Sequence, residues 1–102
     1  MQASELLQRI QANKAPLVID ARSEIEFRRG HIKGAINAPV RKLLLHRAQL
    51  PPDKNREVVV TCEHGQRAGV AKGLLSLYGY HNTEFLEGYL KGWREAGLPL
   101  ET

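Results

Sequence analysis

The stretch VVVTCEHGQR, residues 58–67, decides the fold of this chain. Its β-branched residues 58–61 predict a buried strand, and the glycine-containing turn at 63–66 predicts a tight loop. An amphipathic stretch from Arg67 to Tyr78 then predicts a helix. This succession places Cys62, the only cysteine, at the carboxyl end of a strand and beside a helix N-terminus.

Two interpretations of Cys62 follow from this position. A helix N-terminus offers unpaired N–H groups and a partial positive charge, which favour a thiolate, and a thiolate is a nucleophile. The first interpretation therefore predicts an enzyme. In the second, Cys62 is a small buried hydrophobic residue at the end of a core strand. Gly65, which lets successive N–H groups face one point, and the charge of Arg67 favour the first interpretation.

The composition sets limits on the class of protein. The 102 residues, 42% of them hydrophobic, predict a single domain whose core needs no disulfide or metal. A lone cysteine and the lack of a signal-like or membrane-spanning apolar stretch predict a soluble cytoplasmic protein. Nothing in the sequence demands more than a monomer, so we expect one. The net charge of +4 suits a small anion, whereas scattered basic residues without interleaved aromatic residues argue against nucleic acid.

Short apolar segments alternate with helical segments along the rest of the chain. We predict strands at residues 17–20, 35–39, 57–61 and 83–87. We predict a first helix capped by Ser4 and a second, at 24–29, that begins at Ser23 or Asp20. Further helices are predicted at residues 40–49, 67–78 and 88–96. This alternation predicts an α/β domain with a mainly parallel central sheet flanked by helices, and a ligand site beyond the carboxyl ends of its strands.

Three segments of the chain carry a resemblance to a known family. The first is LVIDAR at 17–22, with Glu26-Phe27 and with GHIKGAINAP at 30–39. The second is the loop CEHGQR at 62–67, and the third is LEG at 86–88 followed by Gly92-Trp93. In this order, and spread over nearly the whole chain, they resemble a single-domain rhodanese, a sulfurtransferase. The resemblance implies a rhodanese-like fold with its active loop between a central strand and a helix N-terminus.

The resemblance also implies a mechanism and a site. Cys62 would be the catalytic residue, attacking the outer sulfur of a small anionic donor such as thiosulfate to form a persulfide. The sulfur would then pass to cyanide, a thiol or a protein, with no metal and no separate cofactor. The cradle for the terminal sulfur would be the loop after Cys62, made of Glu63, His64, Gly65, Gln66 and Arg67.

Other charged residues receive supporting roles. We expect Asp20 and Arg22 to form a structural ion pair under the loop, and His31 to brace the second turn. Arg67 either holds the anionic donor or braces the loop against a carboxylate. Glu63, beside the nucleophile, repels an anion, so we expect weaker thiosulfate affinity than with a neutral residue there.

The chain departs from the family pattern at two positions. Tyr89 stands where the family usually has the second of two adjacent glycines, which requires a different turn or narrows the mouth of the active site. Ala68 stands where a hydroxyl residue is common after the arginine, so one hydrogen bond to the loop would be missing.

Three other functions compete with the sulfurtransferase. Cysteine-based phosphatases place five residues between cysteine and arginine, whereas four separate Cys62 from Arg67, and no loop Asp is present to protonate a leaving group. A non-catalytic binding module usually lacks the cysteine, which this chain keeps. A sulfur carrier loaded by a desulfurase would have the same sequence features as the enzyme.

Overall fold

The computed structural model describes all 102 residues and contains one sheet of four strands. The strands are β1 (Leu17–Asp20), β2 (Ile36–Asn37), β3 (Val58–Thr61) and β4 (Thr83–Phe85). They lie in the order β2-β1-β3-β4, and every neighbouring pair is parallel. The helices are α1 (Ala3–Gln11), α2 (Glu24–Arg29), α3 (Val40–Leu44), α4 (Gln66–Leu77) and α5 (Tyr89–Glu95). The predicted α/β fold with a mainly parallel sheet is therefore confirmed.

Helices cover both faces of the sheet, which explains why β1 and β3 read as continuous apolar runs. Alternate residues of these two strands belong to two separate hydrophobic clusters. On one face, sheet residues pack against α3 and α4 in a cluster that includes Leu17, Ile19, Val58, Val60, Leu43, Ala71 and Leu75. On the other face, they pack against α1 and α5 in a cluster that includes Val18, Val59, Leu6, Leu90 and Trp93.

The starts of the first two helices show how local chemistry sets an element boundary. The prediction that Ser4 caps α1 is wrong, because the helix begins at Ala3 and Ser4 lies inside it. The chain before α1 is held by the N–H of Glu87, which donates to the Met1 carbonyl at 2.9 Å. Ser23 does begin α2, where it forms a reciprocal capping box with Glu26, whereas Asp20 lies in β1.

Three predicted segments extend at least two residues beyond the carboxyl ends of the observed ones. The helix predicted at 40–49 ends at Leu44, because His46 has a left-handed backbone (φ 53°) and the Arg47 N–H turns back to the Lys42 carbonyl at 2.7 Å. The strands predicted at 35–39 and 83–87 shrink to β2 and β4. Each of them ends where its pairing ends, at Asp20 with Asn37 and at Val60 with Phe85.

The register of the strands brings their carboxyl ends to a common edge. Asp20, the last residue of β1, pairs with Thr61, the last residue of β3, and with Asn37 of β2. Cys62 therefore leaves the sheet at the edge where α/β proteins carry their ligand sites. No helix of the chain has the length and apolar character needed to cross a membrane.

Candidate active site

The sulfur of Cys62 faces the N-terminus of α4. Its Sγ accepts hydrogen bonds from the Gly65 N–H at 2.9 Å and from the Ala68 N–H at 3.2 Å. Ala68 is the third residue of α4, so its N–H is one of those that no helical carbonyl can satisfy. Two N–H donors and the positive end of the helix dipole both stabilise negative charge on the sulfur. Cys62 itself is only 1% exposed.

A glycine shapes the loop between Cys62 and α4. Gly65 caps α4 with φ 106°, a left-handed backbone conformation that residues with a side chain rarely adopt. A Cβ at this position would also lie 2.6 Å from Cε2 of Tyr89, so a side chain would collide with that ring. The backbone that turns the Gly65 N–H toward Sγ therefore requires glycine on two grounds.

Helix α5 fixes the other end of the loop. The N–H groups of Leu90 and Lys91, in the first turn of α5, donate to the carbonyls of Cys62 at 3.1 Å and Glu63 at 3.2 Å. Cys62 and Glu63 follow the end of β3, and these hydrogen bonds from α5 give their carbonyls partners. The cysteine loop is therefore held between the N-terminal turns of α4 and α5.

Arg67 binds a carboxylate in the structure. Its guanidinium makes a two-pronged contact with Glu26 of α2, with Nη1 2.5 Å from Oε1 and Nη2 3.0 Å from Oε2. This contact, with further hydrogen bonds from Ser23, lowers the pKa of Glu26 to about 2. Of the two roles expected for Arg67, the observed contact is the brace, and it joins the start of α4 to α2.

The carboxylate of Glu63 is paired with two guanidinium groups. Its Oε2 is hydrogen-bonded to Arg94 of α5, and its Oε1 lies 3.7 Å from Nη1 of Arg22. The hydrogen bond from Arg94 and the charges of Arg94, Arg22 and His64 lower the pKa of Glu63 below its usual range. The repulsion expected from the sequence is therefore opposed by two guanidinium groups.

Asp20 and Arg22 form an ion pair beneath this loop. Nε of Arg22 donates to both Asp20 carboxylate oxygens, at 3.0 and 3.1 Å, and Nη2 donates to Oδ2 at 2.9 Å. Nη2 also donates to the Gly30 carbonyl at 2.7 Å, and each residue is 1% exposed. Asp20, Arg22, Glu63 and Arg94 thus form a continuous series of alternating charges from the core to the surface of α5.

The remaining predicted site residues have other surroundings. His31 stacks on Phe27 with ring centres 3.8 Å apart, and its Nδ1 lies 2.8 Å from the Phe27 carbonyl oxygen. Its Nε2 lies 3.7 Å from Glu101, so these contacts join α2 to the end of the chain rather than to the cysteine loop. His64 is an exposed loop residue, and Gln66 is the exposed first residue of α4. No group of three His, Cys, Asp or Glu side chains is placed to hold a metal ion.

Two residues near the loop were missed as site residues. Glu26 belongs to the sequence pattern Ser23-x-x-Glu26, which signals a helix start, but its pairing with Arg67 spans 41 positions. Arg94 pairs with Glu63 across 31 positions. Only the position of Arg94 in the helix after the third family segment offered a signal, and that signal does not select it among the 15 Lys and Arg residues.

Comparison with known proteins identifies the family of this fold. The family model of the rhodanese-like domain matches residues 2–96. A rhodanese-related protein of Thermoplasma volcanium superposes with a TM-score of 0.81 and 32% identity, over 99% of this chain and 95% of the other. The chain therefore belongs to the rhodanese-like domain family, and the resemblance seen in the sequence is confirmed.

Two of the relatives are named as sulfurtransferases, at modest identity. The chain is 39% identical over 66 residues to thiosulfate sulfurtransferase PspE of Escherichia coli, covering 65% of this chain and 64% of that protein. It is 30% identical over 98 residues to a sulfurtransferase of Allochromatium vinosum, covering 96% of this chain and 90% of the other. A Synechocystis protein without assigned function is 33% identical over 97 residues, covering 95% of this chain, which spans 53% of that protein's length.

Proposed function

We propose that the protein is a sulfurtransferase that carries a sulfane sulfur on Cys62 as a persulfide. The observation that carries the proposal is the pair of N–H donors at Sγ, from Gly65 at 2.9 Å and Ala68 at 3.2 Å. Donors fixed around a sulfur in a buried site stabilise the thiolate that attacks and the anion that results. The sulfurtransferase names of two relatives support the same reaction class.

In the first half-reaction, the Cys62 thiolate attacks the outer sulfur of thiosulfate or a similar donor. A bond forms between Sγ and that sulfur, and the sulfur–sulfur bond of thiosulfate breaks with its electron pair leaving on sulfite. The product is Cys62–Sγ–S⁻, whose terminal charge needs N–H donors in place of water. The N–H groups of the loop 63–67 and of the first turn of α4 are the groups we assign to this cradle.

In the second half-reaction, cyanide or a thiolate attacks the terminal sulfur. A bond forms between that sulfur and the acceptor, and the Sγ–S bond breaks to return the Cys62 thiolate. No general base is needed, because each attacking group is already an anion. The scheme requires that Cys62 stay reduced between cycles, and we therefore also propose a cytoplasmic location.

The surroundings of Arg67 disfavour the phosphatase alternative. Its guanidinium is occupied by Glu26, and only four residues separate it from Cys62. A loop this short suits a single sulfur atom better than a tetrahedral phosphate. We expect no hydrolysis of an aryl phosphate above the level of a Cys62→Ser variant.

Steady-state kinetics test the proposal. Thiocyanate formation at varied thiosulfate and cyanide should give parallel double-reciprocal lines, because the first product leaves before the second substrate binds. Cys62→Ser should abolish turnover, whereas Ser76→Ala, an exposed change at the far end of α4, should retain it.

The same kinetics separate the remaining alternatives. Turnover that persists in Cys62→Ser would refute the persulfide scheme. A lack of turnover combined with stoichiometric loading of Cys62 by a cysteine desulfurase would identify a sulfur carrier. A lack of both would leave a binding module.

A further inference from the structure

Tyr89 has an unusual backbone at the junction between α5 and the cysteine loop. Its φ is 55°, and it directly follows Gly88, whose φ is 77°. A bulky residue with positive φ is rare and persists only where the surrounding contacts require it. Here the contacts come from the next two residues, since the Leu90 and Lys91 N–H groups reach the carbonyls of Cys62 and Glu63.

The side chain of Tyr89 lies against the residue that holds the sulfur. A Cβ built on Gly65 would be 2.6 Å from Cε2, 2.7 Å from Cζ and 3.1 Å from the hydroxyl oxygen of Tyr89. The same Gly65 donates its N–H to Sγ of Cys62 at 2.9 Å. Gly65 therefore lies between the hydroxyl end of the Tyr89 ring and the sulfur of Cys62.

Packing keeps this ring in place. Tyr89 is half-buried, packs on the cluster that contains Cys62, and meets Phe85 edge to face with ring centres 6.0 Å apart. The hydroxyl groups of Tyr78 and Tyr80 bond to backbone carbonyls, whereas that of Tyr89 makes no hydrogen bond within the chain. The contacts that hold Tyr89 are thus made by its ring and backbone.

A surface cleft lies on the α2 side of the loop. Arg67, two residues beyond Gly65, lines this cleft together with Ala21, Ser23, Ile25 and Val40. The loop therefore has a ring on the α5 side and a cleft on the α2 side. Neither Cys62 nor any of residues 63–66 lines this cleft, so the cleft gives no path to the sulfur that avoids the ring.

We propose that Tyr89 is a specificity-determining residue whose ring forms a wall on the α5 side of the cysteine loop. The wall limits the cross-section of molecules that reach the sulfur, so narrow acceptors such as cyanide react in preference to bulky thiols. The preference among sulfur acceptors rests on the proposed function. The claim that the ring restricts access to Cys62 does not, because it concerns only the size of the molecules that reach the thiol.

Alkylation of Cys62 tests the wall without any sulfur transfer. Because Cys62 is the only cysteine, the rate constants for N-ethylmaleimide and for a fluorescein-linked maleimide report this one thiol. Both reagents alkylate the thiol through the same maleimide group. The ratio of the rate constant of the fluorescein-linked maleimide to that of N-ethylmaleimide therefore reports the effect of reagent size. We expect Tyr89→Gly, which accepts the left-handed backbone, to raise this ratio by about tenfold, the order of steric discrimination in binding sites.

Two control variants separate the wall from other effects. Tyr89→Phe keeps the ring and should leave the ratio within about twofold of wild type. Arg94→Met removes the partner of Glu63 and loosens the loop while the ring remains, so it should also leave the ratio unchanged. An unchanged ratio in Tyr89→Gly, or an equal rise in Arg94→Met or Tyr89→Phe, would overturn the proposal.

A second arm measures transfer from the persulfide to cyanide and to glutathione. Tyr89→Gly should raise the rate constant for glutathione relative to cyanide, in parallel with the alkylation ratio. If no variant forms a persulfide, the proposed function fails while the alkylation ratio still decides whether Tyr89 is a wall. If the alkylation ratio rises but the acceptor ratio does not, the role of Tyr89 in specificity is refuted.

Discussion

Replacing Arg22 with Met should destabilise the protein strongly. The Arg22 side chain is 2% exposed, and it supplies three of the hydrogen bonds that the Asp20 carboxylate accepts. Met fills similar space but leaves Asp20 with only the N–H of residue 22, at 3.0 Å from Oδ1. Removing one partner of a buried ion pair costs about 3–5 kcal/mol. The whole stability of such a domain is about 5–15 kcal/mol, so the loss is a large fraction of it.

Urea unfolding followed by circular dichroism measures this loss. With an m-value of about 2 kcal/mol/M, the midpoint of Arg22→Met should fall by about 2 M and m should stay unchanged. The matched control is Arg28→Met, which removes an exposed guanidinium that pairs with Glu24 at 3.5 Å. Such surface pairs contribute at most about 1 kcal/mol, so this midpoint should barely move.

A double variant tests the reason for the loss. Changing Asp20 to Leu together with Arg22 to Met removes both charges, and it should recover most of the stability lost by Arg22→Met alone. The reasoning is refuted if Arg22→Met loses less than about 1 kcal/mol. It is equally refuted if the double variant is no more stable than the single one, because the unpaired carboxylate would then not be the cause.

Two further predictions concern carboxylates around the loop. The pKa of Glu26, lowered to about 2 by Arg67, makes their pair a source of stability that is present above about pH 5 and lost as the pH falls toward 2. That shift corresponds to about 3 kcal/mol, which screening at side chains 34% and 40% exposed reduces to about 1 kcal/mol. The difference in unfolding free energy between wild type and Glu26→Gln should therefore shrink between pH 5 and 2.5, and a constant difference contradicts it. Glu63→Gln removes a negative charge beside Cys62 and leaves the charge of Arg94 uncompensated. This variant should therefore lower the KM for thiosulfate about two- to fivefold relative to the exposed control variant Glu5→Gln. A KM equal to or higher than that of the control would reject the prediction.

The sequence sufficed for the central part of the fold because its signals there are local. The apolar runs at 17–20 and 58–61 predicted β1 and β3, and Ser23 with Glu26 marked the start of α2. The strand, loop and helix around Cys62 also follow from neighbouring residues. The start of α3 was predicted, but its end was missed because it depends on the left-handed turn at His46, whose ring packs on Tyr78, a residue distant in the sequence.

The charged contacts of the site were beyond prediction because they join distant positions. Glu63 has basic partners on two different elements, Arg22 after β1 and Arg94 in α5, and nothing in its own neighbourhood specifies either. The ring of Tyr89 on Gly65 likewise depends on how α5 meets the loop. The sequence identified the residue that differs from the family pattern, and the structure supplied what that residue contacts.

Intact mass spectrometry before and after incubation with thiosulfate tests the central claim most directly. Wild type should gain the mass of one sulfur atom, about 32 Da, which cyanide then removes, and Cys62→Ser should gain nothing. The same gain in Cys62→Ser would place the sulfur elsewhere and contradict the account. No gain in wild type, from thiosulfate or from a loaded cysteine desulfurase, would show that the N–H donors around Sγ do not serve a persulfide.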